Sequence, residues 1–501
     1  MDKKYLLLLV FLMTFGFTKG QVFTKLPTQF SGVMDPVATW IIASGGTSFA
    51  YAAGERYNDT HHLLYSQLEK NNGSRNFVRV YSPFPALYHG DAAVADYNGD
   101  GKPDVVMTGL NQQGVPVMKL YRNDGNGRFT AVTNSHFIGL SGGSVAWADF
   151  DKDGDMDILA TGKDASNQLA TYIYRNDKGV FHRILTRIPG VVNGCARWGD
   201  FNSDGYPDVV IMGNDGHRAI TALYKNNEGK SFSFVRNFDP LQNGDVACAD
   251  FDGDGDVDIF ITGADAEGVP QCRMYSNQTG WVFREVSVPI RPLKNGNVDA
   301  ADFDHDGDMD LVITGESMER PYTLVYENKL AFSFKPVMAG LPGVTNGKAL
   351  WGDFDHDGDQ DLLLTGIDVC YDFHTAIYRN NINPPKSPVE ENSIFVNTPL
   401  PTYKTGPLYY YVVASCFCDP DGSGHPKYHM YISNVHRQIN KYELNYKFDN
   451  LLIKIIPNWG KTDAGHRTSN GFETKQQAEL SRKQMIESYI ESGFKIHYIN
   501  W

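Results

Sequence analysis

From residue 22 to residue 381 the chain alternates short apolar runs with polar turns rich in glycine, aspartate and asparagine. Six of the runs read "VVMTG", "ILATG", "VVIMG", "IFITG", "LVITG" and "LLLTG", closing at Gly109, Gly162, Gly213, Gly263, Gly315 and Gly366. Nineteen residues before each closing glycine stands another: Gly90, Gly143, Gly194, Gly244, Gly296 and Gly347. Eleven or twelve residues after it comes a tyrosine with a side-chain amide two places on, at Tyr121, Tyr174, Tyr224, Tyr275, Tyr326 and Tyr378. A Phe-containing run usually follows, and the cycle restarts. These runs are too short for helices and rich in β-branched and aromatic residues, so they read as strands. No unit contains an amphipathic helical stretch. Four strands per ~50 residues is the repeat of a β-propeller blade, and radial closure protects the edges that an open sheet exposes.

A seventh, less regular copy precedes the six. Here "WIIASG", ending at Gly45, aligns with the closing runs, Gly32 with the upstream glycine, Tyr65 and Gln67 with the tyrosine–amide pair, and "FVRVYSP" with the fourth strand. Gly32 precedes Gly45 by 13 residues instead of 19, so six residues of the first turn are expected to be missing. "VFTKLP" at residues 22–27 reads as an extra fourth strand that completes the last blade; "SIFVNTP" at residues 393–399 competes for that place. The predicted class is mainly β: a seven-bladed propeller of four-stranded blades over residues 21–381. A Pro-rich linker, 382–399, and a small α+β domain, 400–501, follow. In that domain "LYYYVVASCF", "KYHMYISNV", "NLLIKIIP" and "FKIHYIN" read as strands. A helix is expected over 474–492, with Thr474 and Gln477 as a capping box and Gly493 at its stop.

Within each of the six regular copies lies an aspartate pattern. In "ADFDHDGDMDLVITG", residues 301–315, Asp302, Asp304, Asp306 and Asp310 fall at positions 1, 3, 5 and 9, with Gly307 at position 6. Ca²⁺ is a hard cation that takes six to eight oxygens, and a tight turn with alternating carboxylates supplies them. An EF-hand needs a Glu at position 12 and flanking helices; here position 12 is Val312 and the flanks are strands. The predicted ligands are Asp96, Asn98, Asp100 and Asp104; Asp149, Asp151, Asp153 and Asp157; Asp200, Asn202, Asp204 and Asp208. They continue with Asp250, Asp252, Asp254 and Asp258; Asp302, Asp304, Asp306 and Asp310; Asp353, Asp355, Asp357 and Asp361. The position-7 carbonyls of Lys102, Asp155, Tyr206, Asp256, Asp308 and Asp359 are natural further ligands. About six Ca²⁺ would offset most of the net charge of −14.

The Asp-x-(Asp/Asn)-x-Asp-Gly-x-x-Asp turn between strands resembles the FG-GAP/VCBS repeats of integrin α-subunit-type propellers, over about residues 22–381. The resemblance implies a seven-bladed ring with calcium in the turns joining first and second strands. It also implies a secreted or surface binding protein, although some members carry enzymes on the same scaffold. The chain departs from the family in lacking a metal turn in its first blade, and it does not spell FG-GAP literally, so ligand type does not carry over.

The N-terminus has Lys3 and Lys4, an apolar stretch over residues 5–17 too short to span a bilayer, and small Thr18 and Gly20. Residues 1–20 are therefore expected to be a signal peptide, and the mature chain to be secreted or held at the cell surface without a transmembrane helix. The acidic balance argues against a nucleic-acid partner. Six cysteines are few for an exported chain; Cys248, in the slot of Trp147, Trp198 and Trp351, reads as a buried thiol. Cys416, Cys418, His425 and His429 match no familiar zinc-finger spacing. There is no H-E-x-x-H or phosphate-binding glycine loop. His305 and His356, at position 4 of their turns, read as solvent-facing.

The expected function is a non-enzymatic extracellular scaffold that binds a protein or glycan ligand. The alternatives are a propeller-based polysaccharide lyase or hydrolase, and a passive spacer presenting an active C-terminal domain. Residues 46–62 read as a turn between the second and third strands of the first blade, eight or nine residues longer than its equivalents. Long loops on compact scaffolds are commonly functional. Tyr51, Arg56 and Tyr57 on it, with Tyr88 and His89 on the crossing to the next blade, are the candidate ligand contacts.

Overall fold

The computed structural model describes residues 22–382 apart from 44–46, 59–60, 74, 319 and 330, and in the C-terminal part 408–410, 412–418, 427–433, 436–438, 465–468, 475, 479, 482–483 and 495–499. Seven antiparallel four-stranded sheets form the blades of a propeller ring. A short N-terminal strand, β1 (Phe23–Lys25), precedes the first blade, which comprises β2 (Met34–Ile42), β3 (Ser48–Asn58), β4 (His61–Asn71) and β5 (Phe77–Val80). Blade 5 shows the regular pattern: Gln242–Ala249, Asp258–Ala264, Pro270–Asn277 and Phe283–Val286, paired in chain order. Blade 7 has three strands of its own, Thr345–Gly352, Asp361–Ile367 and Phe373–Asn380, and β1 is its fourth. The ring is thus closed by the chain's beginning, while residues 393–399 lie outside the described residues.

The core lies between blades. Second strands are apolar on both faces because each is covered by a neighbouring blade on either side, as in "DIFITGA", buried throughout. The layer between blades 4 and 5 holds Phe201, Val210, Leu223, Ile259, Ile261 and Tyr275; the closing layer between blades 7 and 1 holds Phe354, Leu363, Ile377, Trp40 and Ala50. Aromatic pairs cross these layers, among them Phe150–Trp198 at 6.1 Å and Phe354–Trp40 at 5.8 Å. The amide after five of the six tyrosines latches its blade to the preceding one, while Asn123, after Tyr121, donates to Pro103 O of its own blade at 3.0 Å. Asn277 Nδ2 donates to Phe201 O at 2.8 Å, and the same bond recurs from Asn176, Asn226, Asn328, Asn380 and Asn71. The upstream glycines permit close approach of the first strand to the second: a Cβ at Gly244 would lie 1.9 Å from Thr262 O.

Blade 1 corrects the alignment of its strands. "WIIASG" belongs to the first strand, not the second, and Trp40 fills the slot of Trp147, Trp198 and Trp351. Trp40 pairs with Ala50 ten residues on, while Trp147 pairs with Ile158 eleven on, so the turn is one residue shorter and not six. What it lacks is carboxylates. Residues 46–62 are not a loop: Ser48–Asn58 is a strand paired on both sides, and the β3–β4 hairpin extends past the seven or eight residues of other second strands. Its tyrosine–amide pair is Glu69 and Asn71, not Tyr65 and Gln67. Tyr174 OH accepts the Ile138 N–H at 2.9 Å; in blade 1 Glu69 Oε1 and Gln67 Oε1 accept those of Gln29 and Ser31 at 2.8 and 2.7 Å.

In the C-terminal unit, Gly465–Thr468, Val412–Cys418, Lys427–Ser433 and Lys495–Ile499 form one sheet in that order, with its last pair parallel. Leu408–Tyr410 pairs with His436–Gln438. Cys416 and His429 are register partners. Lys475, Glu479, Arg482 and Lys483 are helical, within the stretch expected to be a helix. "NLLIKIIP", His425 and residues 1–20 lie outside the described residues. Among the described residues no helix is long and apolar enough to cross a membrane.

Candidate functional site

Each aspartate turn joins the first and second strands of its blade. Alternating side chains in a tight turn bond the backbone locally, and these bonds fix the loop. In blade 6, Asp302 accepts the N–H groups of Asp306 at 3.1 Å and Gly307 at 3.0 Å, and Asp306 accepts that of Asp308 at 3.1 Å. The same set recurs in the other five loops, from position 1 (Asp96, Asp149, Asp200, Asp250, Asp353) and position 5 (Asp100, Asp153, Asp204, Asp254, Asp357). Positions 4 and 6 take positive φ. Position 6 is always glycine, and position 4 holds Gly99, Lys152, Ser203, Gly253, His305 or His356. His305 is not simply solvent-facing: its Nε2 meets Gly358 O of the next loop, as Lys152 Nζ meets Asp204 O at 3.0 Å.

Four groups of three carboxylates bring ligand oxygens within 4.8 Å of one another: Asp149, Asp151 and Asp157; Asp250, Asp252 and Asp254; Asp302, Asp304 and Asp306; Asp353, Asp355 and Asp357. The loops carrying Asn98 and Asn202 form no such acidic triple among the described residues. Oδ1 of Asp151 and of Asp355, both at position 3, are buried and accept no hydrogen bond. A buried, unsatisfied carboxylate oxygen is costly without a cation or donor, so the residues fit a hard cation. Basic side chains already lean on four loops: Arg379 pairs with Asp355 at 2.9 Å and Asp357 at 2.5 Å, Lys329 with Asp306 at 2.7 Å, Lys102 with Asp100 at 3.0 Å and Lys225 with Asp204 at 3.6 Å.

The position-9 aspartates, Asp104, Asp157, Asp208, Asp258, Asp310 and Asp361, are fully buried. In each, one oxygen accepts the position-2 N–H and the other an N–H of the third strand: Asp310 accepts from Phe303 at 2.9 Å and Asn328 at 2.7 Å. Burial, reinforced by the neighbouring loop carboxylates, raises their pKa to about 6 for Asp104, about 7 for Asp157, Asp208 and Asp258, about 8 for Asp310 and about 9 for Asp361. A raised folded-state pKa gives stability that is fully present below the ordinary carboxylate range and is lost as pH rises through the raised value. With divalent cations chelated, the melting temperature is therefore expected to fall between pH 6 and pH 9. A chelated sample that melts higher at pH 9 than at pH 6 would contradict this.

A second constellation lies at the other end of the second strands. Of the five residues expected to contact a ligand, Tyr51 is fully buried and its hydroxyl donates to Pro85 O at 3.0 Å, so it takes no part. It sits inside β3, where alternate residues face the inter-blade layer. Arg56 lies over the Phe373 ring at 5.1 Å. Tyr57, 52% exposed, donates to Glu55 Oε2 at 3.0 Å and stacks on His62 at 5.0 Å. His62 Nε2 is 2.7 Å from the same Glu55 oxygen, and its ring meets Tyr88 edge-on at 5.2 Å. Asp35, beside Glu55, has its pKa raised to about 7 by burial and by that neighbouring carboxylate. Burial lowers the pKa of His89. Sequence reasoning missed Asp35, Glu55 and His62.

Asp35 and His89 also line a cavity of about 190 Å³ on the ring axis. One residue per blade rims it with positive φ: Asp35, His89, Gly142, Asn193, Asn243, Asn295 and Asn346. Backbone bonds run head to tail around the rim, His89 N–H to Asp35 O at 2.9 Å and Asn346 N–H to Asn295 O at 2.7 Å among them. The readable signal was the Asn-Gly pair repeated in four consecutive units. Deeper in, Asp91 pairs with Lys348 and, at 3.9 Å, with Arg197, which pairs with Asp245 at 2.8 Å. These bonds tie blades 2, 4, 5 and 7 across the channel.

The FG-GAP-like repeat family matches the chain at residues 96–160, 200–261, 250–313 and 302–364. No curated protein matches. Solved structures with a similar fold include a mutant Aleuria aurantia lectin in complex with α-methyl-L-fucoside, at 10% identity, 57% of this chain, 90% of that chain and a TM-score of 0.36. The NanB sialidase of Streptococcus pneumoniae matches at 10% identity, 71% of this chain, 70% of that chain and a TM-score of 0.37. The V. cholerae biofilm matrix protein Bap1 matches at 14% identity, 70% of this chain, 54% of that chain and a TM-score of 0.29. Likeness at this level says nothing of ligand or chemistry. With the matched repeats in the ring's own blades, the chain is a seven-bladed β-propeller built on FG-GAP-like repeats.

Proposed function

We propose that the protein is an exported propeller, stabilised by calcium in six loops, that acts outside the cell or on its surface as a non-enzymatic scaffold binding a protein or glycan. The observation that carries the calcium reading is the set of close carboxylates with buried oxygens that lack a hydrogen-bond donor, Asp151 Oδ1 and Asp355 Oδ1. Ca²⁺ would be held by positions 1, 3 and 5 with the position-7 carbonyl, and by position 9 where it closes on them, as Asp157 does on Asp149 and Asp151. Asp306→Ala is expected to remove one equivalent in a calorimetric calcium titration and leave five. An unchanged stoichiometry would reduce that loop to a turn.

A second reading has one observation behind it. The buried Glu55 carboxylate lies within hydrogen-bond reach of both Tyr57 and His62, which is the kind of arrangement that general acid–base chemistry uses. The two readings separate on turnover. Incubation with polysaccharides should release no new reducing ends and no unsaturated sugar products. Release abolished by Tyr57→Phe would make the protein a hydrolase or lyase instead.

A further inference from the structure

We infer that the axial cavity on the face opposite the aspartate loops is a binding site for one ring of a neutral glycan, with Tyr57 as its stacking platform. This rests on the scaffold reading and narrows it to a place and a ligand class. The cavity is small: about 190 Å³, against the ~300–1,000 Å³ of pockets for drug-sized ligands. It suits a single sugar ring at a chain end.

The rim is chemically two-sided. Four consecutive blades contribute Asn193, Asn243, Asn295 and Asn346; Asn295 Nδ2 already donates to Glu316 Oε1 at 2.9 Å, and the side-chain amides of the other three can both donate and accept hydrogen bonds. The opposite arc contributes Asp35 and His89. Amides with a carboxylate match vicinal hydroxyls, each of which is itself donor and acceptor. Charge sets the class further. The cations lining the cavity are Arg197 and Lys348 besides His89, and carboxylates hold both: Lys348 meets Asp91, and Arg197 meets Asp245. With both of these cations held by carboxylates and the pKa of His89 lowered by burial, the lining offers an anionic sugar no unpaired cation.

The aromatic edge lies outside the cavity lining and reaches the rim through Glu55 and Asp35. Tyr57 bonds Glu55, Glu55 neighbours Asp35, and Asp35 lines the cavity. The Tyr57 ring is half exposed and is backed by His62 at an interplanar angle of 15°. A flat ring fixed in this way can pack against the C–H face of a sugar at little cost in side-chain entropy. The extended β3–β4 hairpin, which other blades lack, lifts Tyr57 and His62 to that position.

The test uses the full chain in calcium on an array of neutral, sialylated and uronate-containing oligosaccharides, followed by calorimetry with the strongest neutral binder. Neutral glycans are expected to bind. Tyr57→Ala and Asn243→Gly are each expected to weaken binding roughly tenfold or more, as truncating a hot spot does. Glycine keeps the positive φ of Asn243, so its backbone is not strained. Leu185→Ser, far exposed and outside the cavity lining, should bind as wild type. If Tyr57→Ala does not fold, Asn243→Gly decides. Binding confined to acidic glycans, or affinities unchanged in both variants, overturns the inference. An array with no binder, from a protein that takes up calcium and binds a protein ligand, also overturns it and leaves the scaffold reading standing.

Discussion

Chelation of divalent cations is expected to lower the melting temperature of this protein by roughly ten degrees or more, with recovery in millimolar calcium. The cause is electrostatic. Each of four loops holds three carboxylates with oxygens within 4.8 Å, and like charges at that distance repel unless a cation lies between them. A site saturated a hundredfold above its dissociation constant contributes about 2.7 kcal/mol, and several such sites act on one cooperative ring. Extracellular calcium modules often bind only at ~10⁻⁴–10⁻³ M, so the effect should track calcium across the millimolar range. The loops also carry the latches: Phe251 and Phe303 at position 2 present the carbonyls that Asn328 and Asn380 of the next blades engage. Loosening a loop therefore loosens an inter-blade contact as well as a surface turn. Identical melting curves in chelator and in excess calcium, followed by circular dichroism, would remove the metal from the account.

Most of the ring was legible because a repeat states the same constraint many times. Six copies of the tyrosine–amide pair, the close-approach glycine and the aspartate turn fix strand order and turn type together, and the latches explain why the amide stands where it does. Blade 1 departs from the repeat because it breaks each rule in turn. A proline, Pro36, replaces the upstream glycine; Glu69 replaces the tyrosine; the turn of residues 43–47 has no carboxylate. Two signals survived. Trp40 keeps the slot of the other first-strand tryptophans, and Gly54 keeps the second-strand closing glycine, each enforced by packing against a neighbouring strand. The hairpin reads as a loop in sequence because "SFAYAAGERYN" mixes apolar and polar residues, with one face in the inter-blade layer for only part of its length. Glu55 and Asp35 were invisible for a different reason: they lie 20 residues apart in sequence and meet only through the β2–β3 pairing.

Phe23→Ala is expected to destabilise the ring by about 3–5 kcal/mol, the range for truncating a buried phenylalanine, and to open it at one seam. Phe23 is fully buried between Phe303 and Trp351, at 6.4 and 6.1 Å between ring centroids. It anchors β1, whose three residues pair with Tyr378, Arg379 and Asn380, and whose flanks bond Ile377 and Asn381 at 2.9 and 2.8 Å. Every other blade is tied to its outer strand by a short covalent turn, so loosening that strand costs little loop-closure entropy to reverse. β1 lies at the opposite end of the propeller sequence from its partner, and only packing holds it. The same truncation at Phe283, in the outer strand of blade 5, removes a similar ring from a similar layer but leaves that covalent turn intact. Hydrogen exchange distinguishes the two. Phe23→Ala should speed exchange across Phe373–Asn380, which becomes an unpaired edge, while Phe283→Ala should leave Pro270–Asn277 largely protected. Protection of Phe373–Asn380 at wild-type level in Phe23→Ala would mean that another strand, such as residues 393–399, closes the ring in place of β1.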